Sequence, residues 1–378
     1  MYKFLLFIIL YMCVSCSNNK QELNVEKVQT LNFRKDLELP PIDSLDWRFI
    51  KLETTDSCLF YGIRQIEFVD DKIIILDNKF ERVLLFDITG KFIKQIGSRG
   101  SGPEEYVLPG KFLIDKKRRI LEIIDFRTTK VLTFSLDNFE FVQNKYMYQP
   151  NYSDCVLLSD ESIVWLYKAG YESGKRERYY LDITDRDYEH ERYLCKTEYG
   201  SHYNIDCGSA FYQYKDEIYF LAPFSSIVYS VDENSIVPKY KVMFGDSKLP
   251  PENWLEEHLK EEANFVQELL KSSYISAYNL LETTDYFGST FYGKEKTFNI
   301  AFLDKKTNRS YSCEAIDFME KYDLRGLGNL IGTYNDYFVS YLYLESWRHY
   351  SMKRDDLLDL YNQSTEFDNP IICLFKFK

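Results

Sequence analysis

Four stretches of this chain repeat the same pattern at intervals of 48, 47 and 48 residues, and that periodicity constrains the fold more than any other feature. The first is IIILDNKFERVLLFDITGKFIKQI, residues 73–96. Shifted by 48 it becomes LEIIDFRTTKVLTFSLDNFEFVQN, which sets Ile75 on Ile123, Asp77 on Asp125, Val83 on Val131, Leu84 on Leu132, Phe86 on Phe134 and Ile93 on Phe141. A third copy, RYYLDITDRDYEHERYL, places Leu181 at the Phe86 position, and a fourth, SSIVYSVDENSIVPKYKV, places Tyr229 there. Two more copies follow once insertions are allowed. FNIAFLDKKTNRSY puts Phe302 at the same point and NPIICLFKFK puts Phe375 there, each 73 residues after its predecessor. The excess over 48 predicts two insertions of about 25 residues.

Both insertions are visible. PPENWLEEHLKEEANFVQELLKSS (250–273) opens on a proline pair suited to a helix start, and Leu255, Leu259, Val266 and Leu269 keep a helical period. SWRHYSMKRDDLLDLYNQ (346–363) is charged and helix-competent with a weaker apolar stripe. The propeller insertions are therefore expected over about 247–272 and 345–369. Each repeat carries short apolar runs separated by turn residues, and 32 Tyr with 28 Phe favour strands. Six copies of a four-strand unit predict an all-β, six-bladed β-propeller of antiparallel blades, a radial arrangement that leaves only short sheet edges. Blade one is read over 63–96, blade two over 111–146, blade three over 154–195, blade four over 209–244, blade five over 275–315 and blade six over 329–377. Blade six runs out after its third strand. Its fourth is expected from Trp47–Leu52 at the front of the chain, so that pairing of the two ends closes the ring.

The first residues, MYKFLLFIILYMCVSC, hold one cation, Lys3, and an eleven-residue apolar run from Phe4 to Val14. That run is short for a bilayer span and right for a secretory signal. A small residue before Cys16 at its end resembles a bacterial lipobox, which implies cleavage after residue 15 and acylation of Cys16. The expected organisation is a signal peptide over 1–15, a tether over 16–36 and the propeller over 37–378. Export is expected, with lipid attachment to the outer membrane and either side of that membrane open. The N-terminal lipid is the expected route of membrane contact.

Charge and rare residues exclude several chemistries. There are 47 Lys+Arg against 59 Asp+Glu, a formal net charge of −12, so a nucleic-acid partner is not expected. None of the eight cysteines forms C-x-x-C, and the four histidines lack ligand spacing, so no metal and no cofactor are expected. Cys195 and Cys207 are the one close pair, either a disulfide or two buried thiols among the six in the mature body. Asp182, Asp185 and Asp187 in DITDRD hint at calcium, but the Gly and closing Glu of an EF-hand loop are missing.

The stretches FIKLETTDSCLFYGIRQIEFVDDKIIILD, LLFDITGKFIKQIGSRGSGPEEY and NPIICLFKFK resemble the six-bladed β-propeller lipoproteins of Bacteroidales-type bacteria, relatives of the NHL-repeat and TolB-like propellers. The resemblance spans about Leu37 to Lys378. Its most specific piece is GSRGSGPEEY (97–106), where the family shows G-x-x-G-x-G-P-G-E-Y and this chain has Glu104 for a glycine. It implies fold, export and lipidation, and carries no catalytic residue.

In such a ring the second-to-third and fourth-to-first connections of every blade emerge on one face around the channel. That face is expected to gather Arg64, Asp77, Lys79, Arg99, Glu104, Glu105, Tyr106, Asp125, Arg127 and His202 as ligand-binding candidates, with both helical insertions beside them. The glycine-rich loop is either a phosphate cradle or a tight inter-blade turn. Glu104 and Glu105 are either an acid/base pair or two solvated carboxylates. Asp77 and Asp125, at one repeat position, suggest a loop hydrogen bond. The leading expectation is a monomeric, non-enzymatic recognition or scaffold module for an envelope protein or a glycan. The alternative is an envelope enzyme (lactonase, lyase or glycan-cleaving), with Arg64, Asp77, Arg99, Glu104 and Asp125 converging at the channel mouth.

Overall fold

Runs such as Ile73-Ile74-Ile75-Leu76 are apolar at every position, the composition of a strand covered on both faces, and all four are fully buried. A computed structural model of the protein describes residues 28–147, 152–172, 178–197, 209–258, 264–293 and 296–378. These form a six-bladed β-propeller. Blade one comprises Ile63–Val69, Lys72–Asp77, Val83–Asp87 and Phe92–Ile96; blade two comprises Pro109–Asp115, Ile120–Asp125, Lys130–Ser135 and Phe141–Tyr146. Blade three comprises Tyr152–Leu157, Ile163–Glu172, Arg178–Thr184 and His190–Thr197. Blade four comprises Phe211–Tyr214, Glu217–Leu221, Ile227–Val231 and Ile236–Met243. Blade five has a split first strand, Ala277–Tyr278 with Leu281–Glu282, then Tyr286–Tyr292, Phe298–Asp304 and Ser310–Glu314. The first strands of successive blades touch around the axis, so they wall the channel.

Blade six closes the ring as the sequence predicts. Gly332–Tyr334, Tyr337–Leu342 and Ile371–Phe377 are followed in space by Leu45–Lys51, paired antiparallel from Leu45 opposite Phe377 to Lys51 opposite Ile371. Trp47 lies opposite Phe375 with ring centroids 5.1 Å apart. The core is divided among the joints. Among the described residues six apolar clusters occur, each filling the space between two neighbouring blades, for example Ile73, Ile75 and Phe86 of blade one against Val339, Ile372 and Leu374 of blade six. Each such side chain contributes roughly 1.5–3 kcal/mol by leaving water.

Sheet register corrects the internal alignment of the repeat while keeping its number. Phe86 pairs with Ile73, the second residue of its neighbouring strand, and Phe134 with Leu121. The corresponding pairs are Thr184 with Ile163, Val231 with Ile218, Leu303 with Phe287 and Phe375 with Phe338. The equivalents of Phe86 are therefore Thr184, Val231 and Leu303 in blades three to five, in place of Leu181, Tyr229 and Phe302. Strands that are apolar at every position align almost equally well when slipped by one or two, so apolar matching could not fix this. The turn that follows could have. Asp87, Asp185, Asp232 and Asp304 each accept backbone N–H groups of the ensuing turn, and Ser135 does the same in blade two.

The chain joins the ring earlier than residue 37. Gln29–Asn32 adds to blade four as a fifth, parallel strand, Gln29 opposite Tyr240 and Asn32 opposite Met243. Leu31 and Phe33 are buried, and Phe33 stacks on Phe244 at 5.7 Å. Arg34 N–H then donates to Ser310 Oγ (2.8 Å), and Asp36 and Leu37 N–H to Ser310 O. The burial of Leu31 and Phe33 explains why these residues do not trail free.

The helices lie in the connections expected to share one face. α1 (Glu252–His258) and α2 (Phe265–Lys271) join blades four and five. Pro251 O accepts Trp254 N–H and Leu255 N–H at the start of α1, and Phe265 and Leu269 anchor α2. α3 (Ala315–Tyr322), between blades five and six, falls in a stretch read as neither blade nor insertion, and buries Ala315, Phe318 and Tyr322. α4 (Asp355–Asn362) lies between the second and third strands of blade six, with Asp355 and Asp356 in its first turn, where the helix dipole favours them. No helix among the described residues is long and apolar enough to cross a membrane.

Candidate functional site

The face bearing these helices is shaped by a repeated carboxylate turn between second and third strands. Asp77 accepts Lys79 N–H (2.8 Å) and Phe80 N–H (3.1 Å), and Glu81 closes the turn at φ 57. Asp125 accepts Arg127 N–H (2.9 Å) and Thr128 N–H (3.1 Å), and Thr129 closes it at φ 56. Both carboxylates are buried. Their environments differ: the N–H of Val107 reaches the second oxygen of Asp125 at 2.6 Å, whereas the Arg82 guanidinium stands 3.9 Å from Asp77. Burial opposes ionisation at both sites. At Asp125 the Val107 and Thr128 donors outweigh it and hold the carboxyl below its usual range; at Asp77 burial prevails over Lys79, Phe80 and Arg82, and the carboxyl is raised. Asp77 and Asp125 are thus turn anchors, while Lys79 and Arg127, at matched positions of the two turns, are exposed.

The glycine-rich loop is occupied by its own acid. Ser98–Arg99 pairs parallel with Glu105–Tyr106, and the Glu105 carboxylate folds inward to accept Gly102 N–H at 2.7 Å. A Cβ on Gly100 would stand 2.1 Å from Glu105 Oε2. Lys130 Nζ closes the loop from outside on Gly102 O and Glu105 O. This is the tight inter-blade turn and not a phosphate cradle, because the Gly102 amide already faces a carboxylate and the Gly100 amide donates to Tyr106 O. With Glu105 committed and Glu104 exposed, the two do not form an acid/base pair. Tyr106 is fully buried, its hydroxyl donating to Ile96 O (3.2 Å). It too is internal.

Of the expected ligand-binding residues, Arg64, Lys79, Arg99, Glu104 and Arg127 are exposed on this face. His202 and Cys207 lie outside the described residues, as do Cys16 and the signal segment. Around Lys79 stand aromatic side chains the sequence reading did not single out. Tyr61 is 50% exposed and Phe80 42%. Lys79 Nζ lies 4.9 Å from the Tyr61 ring and 5.7 Å from that of Phe80, and the Tyr61 hydroxyl donates to Glu345 Oε2 at 2.9 Å. The tyrosine count was legible; which rings escape burial depends on how the 53–62 segment crosses from blade six to blade one.

Channel-wall polar residues serve the ring. Gln65, Lys111, Asp154 and Asn279 occupy the same place in four first strands, beside Leu76, Ile124, Leu166 and Thr290 of their second strands. Each reaches the next blade. Gln65 exchanges two hydrogen bonds with the Phe112 backbone (2.9 and 3.0 Å), Lys111 pairs with Asp154 (2.7 Å), Asp154 accepts Ala210 N–H (2.8 Å), and Asn279 donates to Leu330 O (2.6 Å). The three aspartates of DITDRD also part company. Asp182 is buried among the Tyr152 and Tyr167 hydroxyls and His190, Asp185 caps its own turn, and Asp187 pairs with Lys145. They make no calcium loop. A groove of about 660 Å³ lies on the outer seam beside Trp47, Tyr322 and Arg354. Arg354 is consumed there, bidentate to Asp356 and stacked 4.5 Å over Trp47.

Fold and face together define a six-bladed β-propeller whose decorated face carries aromatic and cationic side chains. The chain belongs to the DUF5128 family, described as a 6-bladed beta-propeller, whose pattern matches residues 17–341. It is similar to an exported protein, so designated provisionally, from Bacteroides fragilis: 27% identity, TM-score 0.84, over 93% of this chain and all of that one. A member of the DUF4221 family from Bacteroides vulgatus shares the fold at 11% identity, with TM-score 0.54 over 88% of this chain and 98% of the other. No curated protein sequence matches the chain.

Proposed function

We propose that the protein is an exported recognition module of the cell envelope, tethered to the outer membrane by lipid on Cys16, that holds a partner against its helix-bearing face. The carrying observation is the division of labour on that face. Asp77, Glu105, Tyr106 and Asp125 are committed to the protein's own backbone, while Tyr61, Lys79 and Phe80 are presented outward beside the helical connections. Internal use of Asp77 and Asp125 leaves those two of the five residues expected at a channel-mouth active site tied to their own turns, which favours recognition over catalysis. Export is supported by the designation of the Bacteroides fragilis relative and by the signal-like first residues. Scaffolded loops with exposed aromatic side chains are a usual setting for binding.

Site-specific photocrosslinking in the native envelope tests the reading. A crosslinker at Lys79 or Glu345 is expected to capture a discrete partner, and one at Lys306, on the opposite face, is not. Equal capture from both faces, or capture from Lys306 alone, overturns it.

A further inference from the structure

Many basic side chains elsewhere in this acidic chain are paired with carboxylates. Arg119 meets Asp70 and Asp137 (both 2.9 Å), Lys117 meets Glu161 (2.8 Å), Arg186 meets Glu122 (2.7 Å) and Lys305 meets Glu282 (2.7 Å). These pairs draw the Lys-Lys-Arg-Arg run at 116–119 and the basic turn at 305–306 into contacts between or within blades. Arg64, Lys79, Arg99 and Arg127 differ. All four are exposed and, among the described residues, none lies within ion-pair distance of a carboxylate. Topology sets them on one sector of the helix-bearing face. Arg64 is the second residue of blade one's first strand, Lys79 and Arg127 share the turn position already described, and Arg99 lies in the connection from blade one to blade two. Tyr61 and Phe80 flank Lys79, and the Glu345 contact holds the Tyr61 ring in place before any ligand arrives.

We propose that this sector binds a carboxylated oligosaccharide, with Arg64, Lys79, Arg99 and Arg127 taking its carboxylates and Tyr61 and Phe80 its sugar-ring faces; the assignment rests on the helix-bearing face being the recognition surface. Unpaired cations on a chain of net charge −12 concentrate anions locally, and a guanidinium fork matches a carboxylate with two parallel hydrogen bonds. The cations span two blades on an exposed surface, apart from the grooves at the outer seam and beside Lys51 and Gly90. That layout suits a chain carrying charge on successive units better than an enclosed small molecule. A peptide adding as a strand needs a free sheet edge, and blade edges lie at the circumference. A nucleic acid would meet the net negative charge of the whole body.

Isothermal titration calorimetry of the full chain against tetragalacturonate, with cellotetraose and dextran sulfate as comparison arms, tests the assignment. Tetragalacturonate is expected to bind with an affinity that falls as salt rises, and cellotetraose to bind at least about tenfold more weakly. Arg64→Ala, Arg127→Ala and Tyr61→Ala are each expected to weaken binding about three- to tenfold with unchanged thermal melting, and Lys306→Ala to leave it unchanged. Binding of dextran sulfate that matches tetragalacturonate and ignores Tyr61→Ala overturns the saccharide assignment in favour of a bare charge patch. No saccharide binding, with Lys79 still crosslinking an envelope protein, overturns this inference and leaves the recognition face standing. Absence of both removes the two together.

Discussion

The side-chain oxygen of Asn369 accepts the N–H of Phe60 at 2.8 Å, joining residues 309 positions apart at the seam where the ring closes. The same buried side chain donates to Glu53 O (2.7 Å) and Cys58 O (3.0 Å), and Asn369 N–H donates to Thr54 Oγ1 (2.9 Å). One amide thus fixes the path of the segment that leaves blade six and enters blade one, and with it the place of Tyr61. Asn369→Ala removes three hydrogen bonds and strands buried backbone groups, at a cost of roughly 1–3 kcal/mol for each. The expected loss is about 3 kcal/mol or more in urea unfolding followed by circular dichroism. Asn369→Asp keeps the acceptor but loses both donors, so it is expected to recover only part.

The inner stitches make a second prediction. Lys111→Met leaves Asp154 buried beside Ser209 without its cation, and breaking one partner of a buried pair costs about 3–5 kcal/mol. The double variant Lys111→Met/Asp154→Asn is expected to be more stable than Lys111→Met alone, because no uncompensated charge remains. Thermal melting of the two variants decides it; a double variant less stable than the single one counts against the pairing.

The matched turns give a pH test. The folded-state carboxyl of Asp125 is lowered, so its ionised form adds stability above the unfolded-state value near 3.9, lost as pH falls through the folded value. The Asp77 carboxyl is raised, so its ionisation costs stability as pH rises from the unfolded value through the folded one. At pH 7 Asp125→Asn is expected to lower stability by roughly 1–3 kcal/mol, and Asp77→Asn by clearly less. The gap between the two should narrow as pH falls below about 4. Melting curves across pH 3–7 measure it.

A fourth prediction concerns the leash. Thirteen peptide steps separate Cys16 from Gln29, which is fixed to blade four, so the proposed acylation of Cys16 would keep that edge within about 45 Å of the bilayer. Cys16→Ser is expected to abolish labelling by a clickable fatty acid and to move the protein from the membrane to the soluble envelope fraction. Retained labelling in the Cys16→Ser variant places the lipid elsewhere.

How far the fold was legible follows from what each signal encodes. The blade count came from spacing, and spacing survives errors of a residue or two, as Leu181 against Thr184 illustrates. Closure by Trp47–Leu52 was legible because a three-stranded final blade needs a fourth strand. α3 was overlooked although Ala315, Phe318 and Tyr322 carry a helical stripe, since eight residues between strands offer little periodicity to count. The site was less legible. The shared repeat position of Asp77 and Asp125 already suggests a loop hydrogen bond, whereas Glu105 looks like a ligand in a string of letters, and it takes backbone geometry to reveal that the loop spends it on its own amide. Tyr61 and Phe80 were two aromatic residues among many until the fold left them outside.

The seven residues Ile371–Phe377 lie between Tyr337–Leu342 and Leu45–Lys51, hydrogen-bonded on both sides. In chain order they come more than 300 residues after Leu45–Lys51, one of those two neighbours. The keystone therefore arrives after the other blades, and the circle stays open until it has been made. A body that locks only when two such distant segments meet remains threadable until then, a property that would suit the proposed passage to another compartment.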